Sequence, residues 1–227
     1  MSVVAGGYKL DLHTHSYGSP DGALKLRDYR YFLTNKLLDY IAITDHNRID
    51  IAQKIQAGLG ELGRRIIIGE EITTTQGEVI GLYLSDAVPA GLTLAQAVAA
   101  IKQQGGLVYV PHPFETVRSG IAAADLAAIK GQVDIIETAN GRAVFQNRGP
   151  AARRWAAEHA KPAAASSDAH GRFGWGRTYS LLAQPPTRAN LAKQLFNAPL
   201  SPGKVGMGII YPKLNRIKGK LTGAGKQ

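Results

Sequence analysis

Residues 8–15 read Tyr8-Lys9-Leu10-Asp11-Leu12-His13-Thr14-His15, a short alternating run that passes without a break into two histidines. Alternation at a period of two marks a half-buried strand. The same junction recurs down the chain. The apolar run 40–44 is followed by Asp45 and His46, and the run 65–74 carries Glu70 and Glu71. Residues 107–110 lead into Pro111 and His112, 133–138 into Asn140 and Arg142, and 162–166 into Ser167-Asp168-Ala169-His170. A further strand is expected at 78–84, after a turn at 75–77. Helical periodicity at 24–38, 51–62, 94–104, 121–129 and 150–159 fills the intervals. Strands alternating with helices of this length predict parallel βαβ units, and about seven of them in one domain predict a barrel-like closure.

In such a fold the working residues gather at the carboxyl ends of the strands. Five of the six histidines (His13, His15, His46, His112 and His170) lie just past a predicted strand, with carboxylates beside them. His159, inside a predicted helix, is the exception and reads as structural. Imidazole and carboxylate together suit divalent transition metals. Cysteine is absent, which excludes thiolate sites and disulfides. The donors are too numerous for one tetrahedral centre, so two or three ions are expected. Such multi-metal sites serve chiefly hydrolysis.

Charge is distributed unevenly. Of 27 Lys and Arg and 17 Asp and Glu, every acidic residue lies at or before position 168, while ten basic residues follow it, from Arg172 to Lys226. A basic end of this kind suits an anionic partner or a solvated surface. We expect residues 1–200 to form the folded domain and 201–227 a basic C-terminal tail. No run approaches the 18 to 20 apolar residues of a membrane span, and the start lacks the pattern of a signal peptide. The expectation is a soluble, cytoplasmic protein with no membrane partner.

The segments DLHTHSYGSPDG, ITDHN, GEEITT, VPHPF and SSDAH, in that order, resemble the PHP (polymerase and histidinol phosphatase) family over residues 8–180. The resemblance implies an α/β fold, a distorted (β/α)7 TIM-like barrel, and a metal-dependent phosphoesterase with two or three divalent ions (Mn, Zn or Fe). Carried over by position, His13, His15, Glu71 and Asp168 would hold one metal. Glu71 would bridge to a second, with His112. Asp21, His46 and His170 would hold a third. Glu71 rather than Glu70 occupies the bridging slot, and Glu70 falls to a supporting or surface role. Many members carry a histidine where this chain has Glu78, the only candidate to complete the second site. Asp45 is expected to orient His46, Arg118 and Arg142 to grip phosphate, and His170 or a water to protonate the leaving group; Arg177 and Asn140 are weaker candidates.

The implied substrate is a small phosphorylated molecule, such as a nucleoside 3′,5′-bisphosphate, or a short 5′-phosphorylated oligonucleotide, attacked by metal-activated hydroxide. Two alternatives remain at this point. One is a histidinol-phosphate-type phosphatase. The other is a nucleic-acid-associated accessory module with the basic tail as its anchor, although the tail lacks the interleaved aromatics of a stacking platform.

Overall fold

The computed structural model describes residues 7–222. Seven strands follow one another around a nearly closed barrel: β1 (Tyr8–Asp11), β2 (Tyr40–Ile43), β3 (Ile66–Thr74), β4 (Gly77–Leu82), β5 (Leu107–Val110), β6 (Ile135–Asn140) and β7 (Ala163–Ser166). The helices α1 (Leu26–Thr34), α2 (Asp50–Gly58), α3 (Leu94–Gln103), α4 (Ala123–Ile129) and α5 (Gly149–Glu158) alternate with them outside. The expected all-parallel pattern fails at one place. β4 returns from β3 through a tight turn and pairs antiparallel with both β3 and β5, because two turn residues leave no room for a crossover helix.

Period-two alternation divides the core. Ile41, Ile43, Ile66, Ile68, Val108 and Ile136 face the helices, while Leu10, Leu12, Ala42, Ile67, Ile80, Tyr109 and Ile135 fill the barrel. Full burial of each large aliphatic chain contributes about 1.5–3 kcal/mol. Leu191 and Leu195 of α6 (Leu191–Leu195) join the inner cluster and plug the end away from the histidines.

The barrel closes by a seam between the continuations of β1 and β7. Asp168 N–H donates to the His13 carbonyl at 2.9 Å and His15 N–H to the Ala169 carbonyl at 2.9 Å. Asp11, buried beneath, accepts from Ser167 N at 2.9 Å and Trp175 Nε1 at 3.1 Å. At the opposite end β8 (Thr178–Leu182) lies antiparallel against β1, so the seam is made only on the histidine side.

Beyond β8 comes β9 (Leu200–Pro202), then a 3-10 turn (Gly206–Ile210) that leads into α7 (Tyr211–Thr222). The basic segment 201–227 is thus largely strand and helix as far as it is described, and residues 223–227, with Lys226, lie outside the described residues. No helix among the described residues is long and apolar enough to cross a membrane.

Candidate metal centre

Strand parity explains which carboxylates enter the barrel mouth. In β3, Ile67 points into the barrel, and Glu71, four residues on, shares its face; Glu70 shares the outward face of Ile66, Ile68 and Ile72. Glu71 accordingly meets the histidines, whereas Glu70 is fully buried outside the cluster and accepts from Val88 N at 2.8 Å. Glu78 in β4 has the parity of Ile80 and Leu82, and Glu137 in β6 that of Ile135. His112 and Asp168 are set by left-handed backbone, at φ 28° and 54°. Such conformations cost energy in residues with a side chain and are held where the surroundings demand them.

The first group of donors has the dimensions of a cation site. His13 Nε2 and His15 Nε2 lie 3.1 Å apart, and Glu71 Oε2 is 3.4 and 3.2 Å from them. Asp168 Oδ1 is 3.6 and 3.5 Å from the same two nitrogens. Tetrahedral metal–ligand bonds of about 2.0–2.1 Å give donor–donor edges of about 3.4 Å, so each of these distances is that of two donors on one ion; His13, His15 and Glu71 lie together within 4.8 Å, and Asp168 groups likewise with His13 and His112. Two ring nitrogens aimed at each other also need a proton or a cation between them.

The tautomers agree with that role. His13 Nδ1 donates to Glu137 Oε1 at 3.3 Å, and His15 Nδ1 donates to Ser19 Oγ at 3.0 Å, leaving each Nε2 lone pair free for the centre. The Ser19 hydroxyl in turn donates to Asp45 Oδ1 at 2.9 Å. Asp45 thus steadies His15 through Ser19, and the expected contact with His46 is not made, because Asp45 is taken up by Ser16 and Ser19.

Two further groups adjoin the first through Glu71. His112 Nε2 lies 3.2 Å from Glu71 Oε1, and His46 Nδ1 lies 3.3 Å from Glu71 Oε2 and 3.9 Å from Glu78 Oε1. Around Asp21 Oδ1, His46 Nε2 stands at 3.6 Å and His170 Nε2 at 3.5 Å. Asp21 Oδ1 and His170 Nε2 are both buried without a hydrogen-bond partner, as a pair of cation ligands would be. His170 Nδ1 donates to the Asp168 carbonyl at 2.9 Å, so its open nitrogen carries a lone pair.

The electrostatics describe a site that needs positive charge. Burial opposes charge on His13 and His15, yet Asp168 and Glu71 hold His13 well above its ordinary value and His15 at about 9. Burial, with the charges of Glu71 and Asp168, pushes Glu78 up to about 9. Burial, His15 and Arg142 push His170 down to about 3. Divalent ions would displace the protons that now satisfy the carboxylates. The donor set therefore fits the two or three ions expected.

The cavity over these donors measures about 150 Å³, and Arg118 and Arg142 stand on its wall. Arg118 has each nitrogen engaged: with Glu115 at 2.8 and 2.6 Å, Asn140 at 2.7 Å and Asp168 at 2.6 Å. Arg142 reaches Asp168 Oδ1 at 3.2 Å, while its Nε is buried without a partner. Arg177 does not line this cavity; its carbonyl accepts from Ser201 in the β8–β9 region. His159 stacks on Trp155, ring centroids 4.2 Å apart, on the outer helix α5. Sequence reasoning missed three supports: Glu137, Ser19, and Arg216 of α7, whose Nη2 lies 2.6 Å from Asp21 Oδ2.

Comparison with known proteins adds independent findings. The family model of the PHP domain matches residues 11–174. Two uncharacterized proteins of Methanocaldococcus jannaschii are similar. One is 36% identical over 119 residues, spanning 48% of this chain and 70% of its own. The other is 31% identical over 180 residues, spanning 75% and 69%. A two-domain protein of Bacteroides vulgatus, described as containing a predicted PHP-like metal-dependent phosphoesterase, superposes with a TM-score of 0.69 at 21% identity. That match covers 85% of this chain and 63% of the Bacteroides chain, and shows a common fold.

Proposed function

The chain belongs to the PHP domain family, and on that premise we propose that it hydrolyses a phosphoester on a small phosphorylated substrate, a nucleotide such as a nucleoside 3′,5′-bisphosphate or a short 5′-phosphorylated oligonucleotide. The observation that carries this reading is the close-set donors His13, His15, Glu71 and Asp168, joined through Glu71 to His112 and to the Asp21–His46–His170 group. When bound, divalent ions (Mn, Zn or Fe) supply Lewis acidity at phosphoryl oxygens and acidify water.

The chain's own side chains do the rest. Glu137 and Ser19 lock the tautomers of His13 and His15. Arg118 grips Asp168 Oδ2, and Arg142 reaches the same Oδ1 that faces His13 and His15, so the two arginines fix the carboxylate. Arg142 stands on the cavity wall, where its guanidinium meets a phosphoryl oxygen. His170, with its proton turned to a carbonyl and its basicity depressed, serves as a lone-pair donor, and the leaving group takes its proton from water.

The test is phosphate and nucleotide release by Mn-loaded protein, with a chelated control, from adenosine 3′,5′-bisphosphate and from a short 5′-phosphorylated RNA. Chelator-sensitive release from either substrate supports the reading, and His13→Ala is expected to abolish it while lowering bound metal. Metal-independent release, or full activity in His13→Ala, would overturn it.

A further inference from the structure

The centre described above is built on strand ends, yet one wall of its cavity comes from the far end of the chain. Pro212 and Arg216 of α7 line the cavity together with Asp21, His170 and Glu78. Three contacts dock the helix there. Asn215 Nδ2 donates to the Asp21 carbonyl at 2.7 Å and to the His170 carbonyl at 3.3 Å, and the Tyr211 ring covers Gly171 so closely that a Cβ at 171 would lie 2.5 Å from it. Arg216 Nη2 donates to Asp21 Oδ2 at 2.6 Å, while Asp21 Oδ1 is left for the His46–His170 group. The two oxygens of one carboxylate thus link a ligand cluster to a guanidinium.

We propose that Arg216 is a substrate-binding residue, a guanidinium carried over the metal centre on α7 that binds a non-bridging phosphoryl oxygen. This inference rests on the phosphoester reading above and goes beyond it, because Arg216 lies outside the residues that match the family model. The argument is one of donors. Arg118 spends every nitrogen on protein acceptors, and Arg142 has one Nη committed to Asp168 and its Nε buried. Arg216 uses only Nη2, its side chain is 64% exposed, and its other N–H groups have no protein partner among the described residues. The bond to Asp21 removes much of the rotamer freedom that an exposed arginine would otherwise lose on binding, and so preorganises the donor. A planar guanidinium held at one edge presents the other to an oxyanion, which lysine's point charge does not reproduce.

The first arm of the test is calorimetric titration of inorganic phosphate into Mn-loaded protein, with bound metal counted in every sample. Arg216→Ala is expected to weaken phosphate binding at least tenfold with metal content unchanged, Arg216→Lys to recover part of it, and Lys213→Ala on the same helix to leave it as in the wild type. The second arm uses p-nitrophenyl phosphate, for which Arg216→Ala should raise KM more than it lowers kcat. Added guanidinium ion should restore affinity to Arg216→Ala, an effect that a helix tether alone would not show. Wild-type affinity in Arg216→Ala, loss in proportion to lost metal, or no rescue by guanidinium would overturn the proposal. Phosphate binding that needs Arg216, without turnover of any phosphoester, would sink the hydrolytic reading and leave this one standing. Turnover unaffected by Arg216→Ala would do the reverse, and a wild type that binds no phosphate would remove both.

Discussion

Glu137 does not line the cavity over the donors, yet it sets the centre. One of its oxygens accepts from His13 Nδ1 and from the Tyr109 hydroxyl at 2.8 Å, and the other from the His112 amide at 2.6 Å and Asn140 at 2.8 Å. Glu137→Gln should lower metal affinity about 10–100-fold, as loss of such a support does elsewhere, and metal titration followed by calorimetry would read it; unchanged affinity would show that the ring needs no such hold. Glu70, one position from the bridging glutamate, behaves in the opposite sense. Burial raises its carboxyl to about 7 from an ordinary 4.5. The folded state therefore holds the proton more tightly than the unfolded chain, so the contribution of Glu70 to stability is greatest below pH 4.5 and declines as pH rises to 7. Glu70→Gln keeps the acceptor for Val88 and removes the ionisation. It should gain up to about 3 kcal/mol at pH 8 and little at pH 4, measured as urea midpoints. A pH-independent difference would place the cost elsewhere. The histidines and Glu71 were legible because they sit at the ends of apolar runs. Glu137 stood in the open as well, at the parity of Ile135, but a supporting carboxylate carries no motif of its own.

The loop that follows β5 holds both His112 and Arg118, and its shape rests on Gly120. A Cβ at that position would lie 2.4 Å from the His112 carbonyl and 2.7 Å from the Glu115 amide, backbone atoms that have nowhere to go. Gly120→Ala should cost about 1–3 kcal/mol and reduce bound metal, whereas Gly131→Ala, with open space around it, should be near neutral. Equal stabilities would show that the loop relaxes freely. Periodicity found β1 to β7 and α1 to α5 with boundaries shifted by a few residues, since apolar spacing is a local property. It did not find β8, α6, β9 or α7. The helix α7 contains Pro212 at its start, Gly219 near its end and three basic side chains between, a composition that reads as a tail. What makes it a helix is its docking through Tyr211, Asn215 and Arg216 onto residues about 40 to 195 positions earlier.

Considered whole, the barrel departs from the regular pattern where β4 reverses, and the reversal has a use: it brings Glu78 to the inner face beside Glu71 and His46. The charge map is also settled by geometry rather than composition. The basic excess of the last quarter includes Arg216, which is turned to the acidic mouth of the barrel. The seam between the ends of β1 and β7 has a kinetic meaning. It joins residues more than 150 positions apart, and the same turn of chain that closes it brings His13 and His15 to Asp168. Contacts of such long separation form late, after most of the loop-closure cost has been met. A cation that needs both edges will find no partner in the folding transition state. Adding Mn to the refolding buffer should then leave the folding rate within about twofold and slow unfolding by the full factor that the metal contributes to stability. Stopped-flow chevrons with and without metal would show it, and a faster folding limb would mean the ligands meet early. The ion acts as a latch on a finished door, setting how long the native state lasts rather than how fast it is reached.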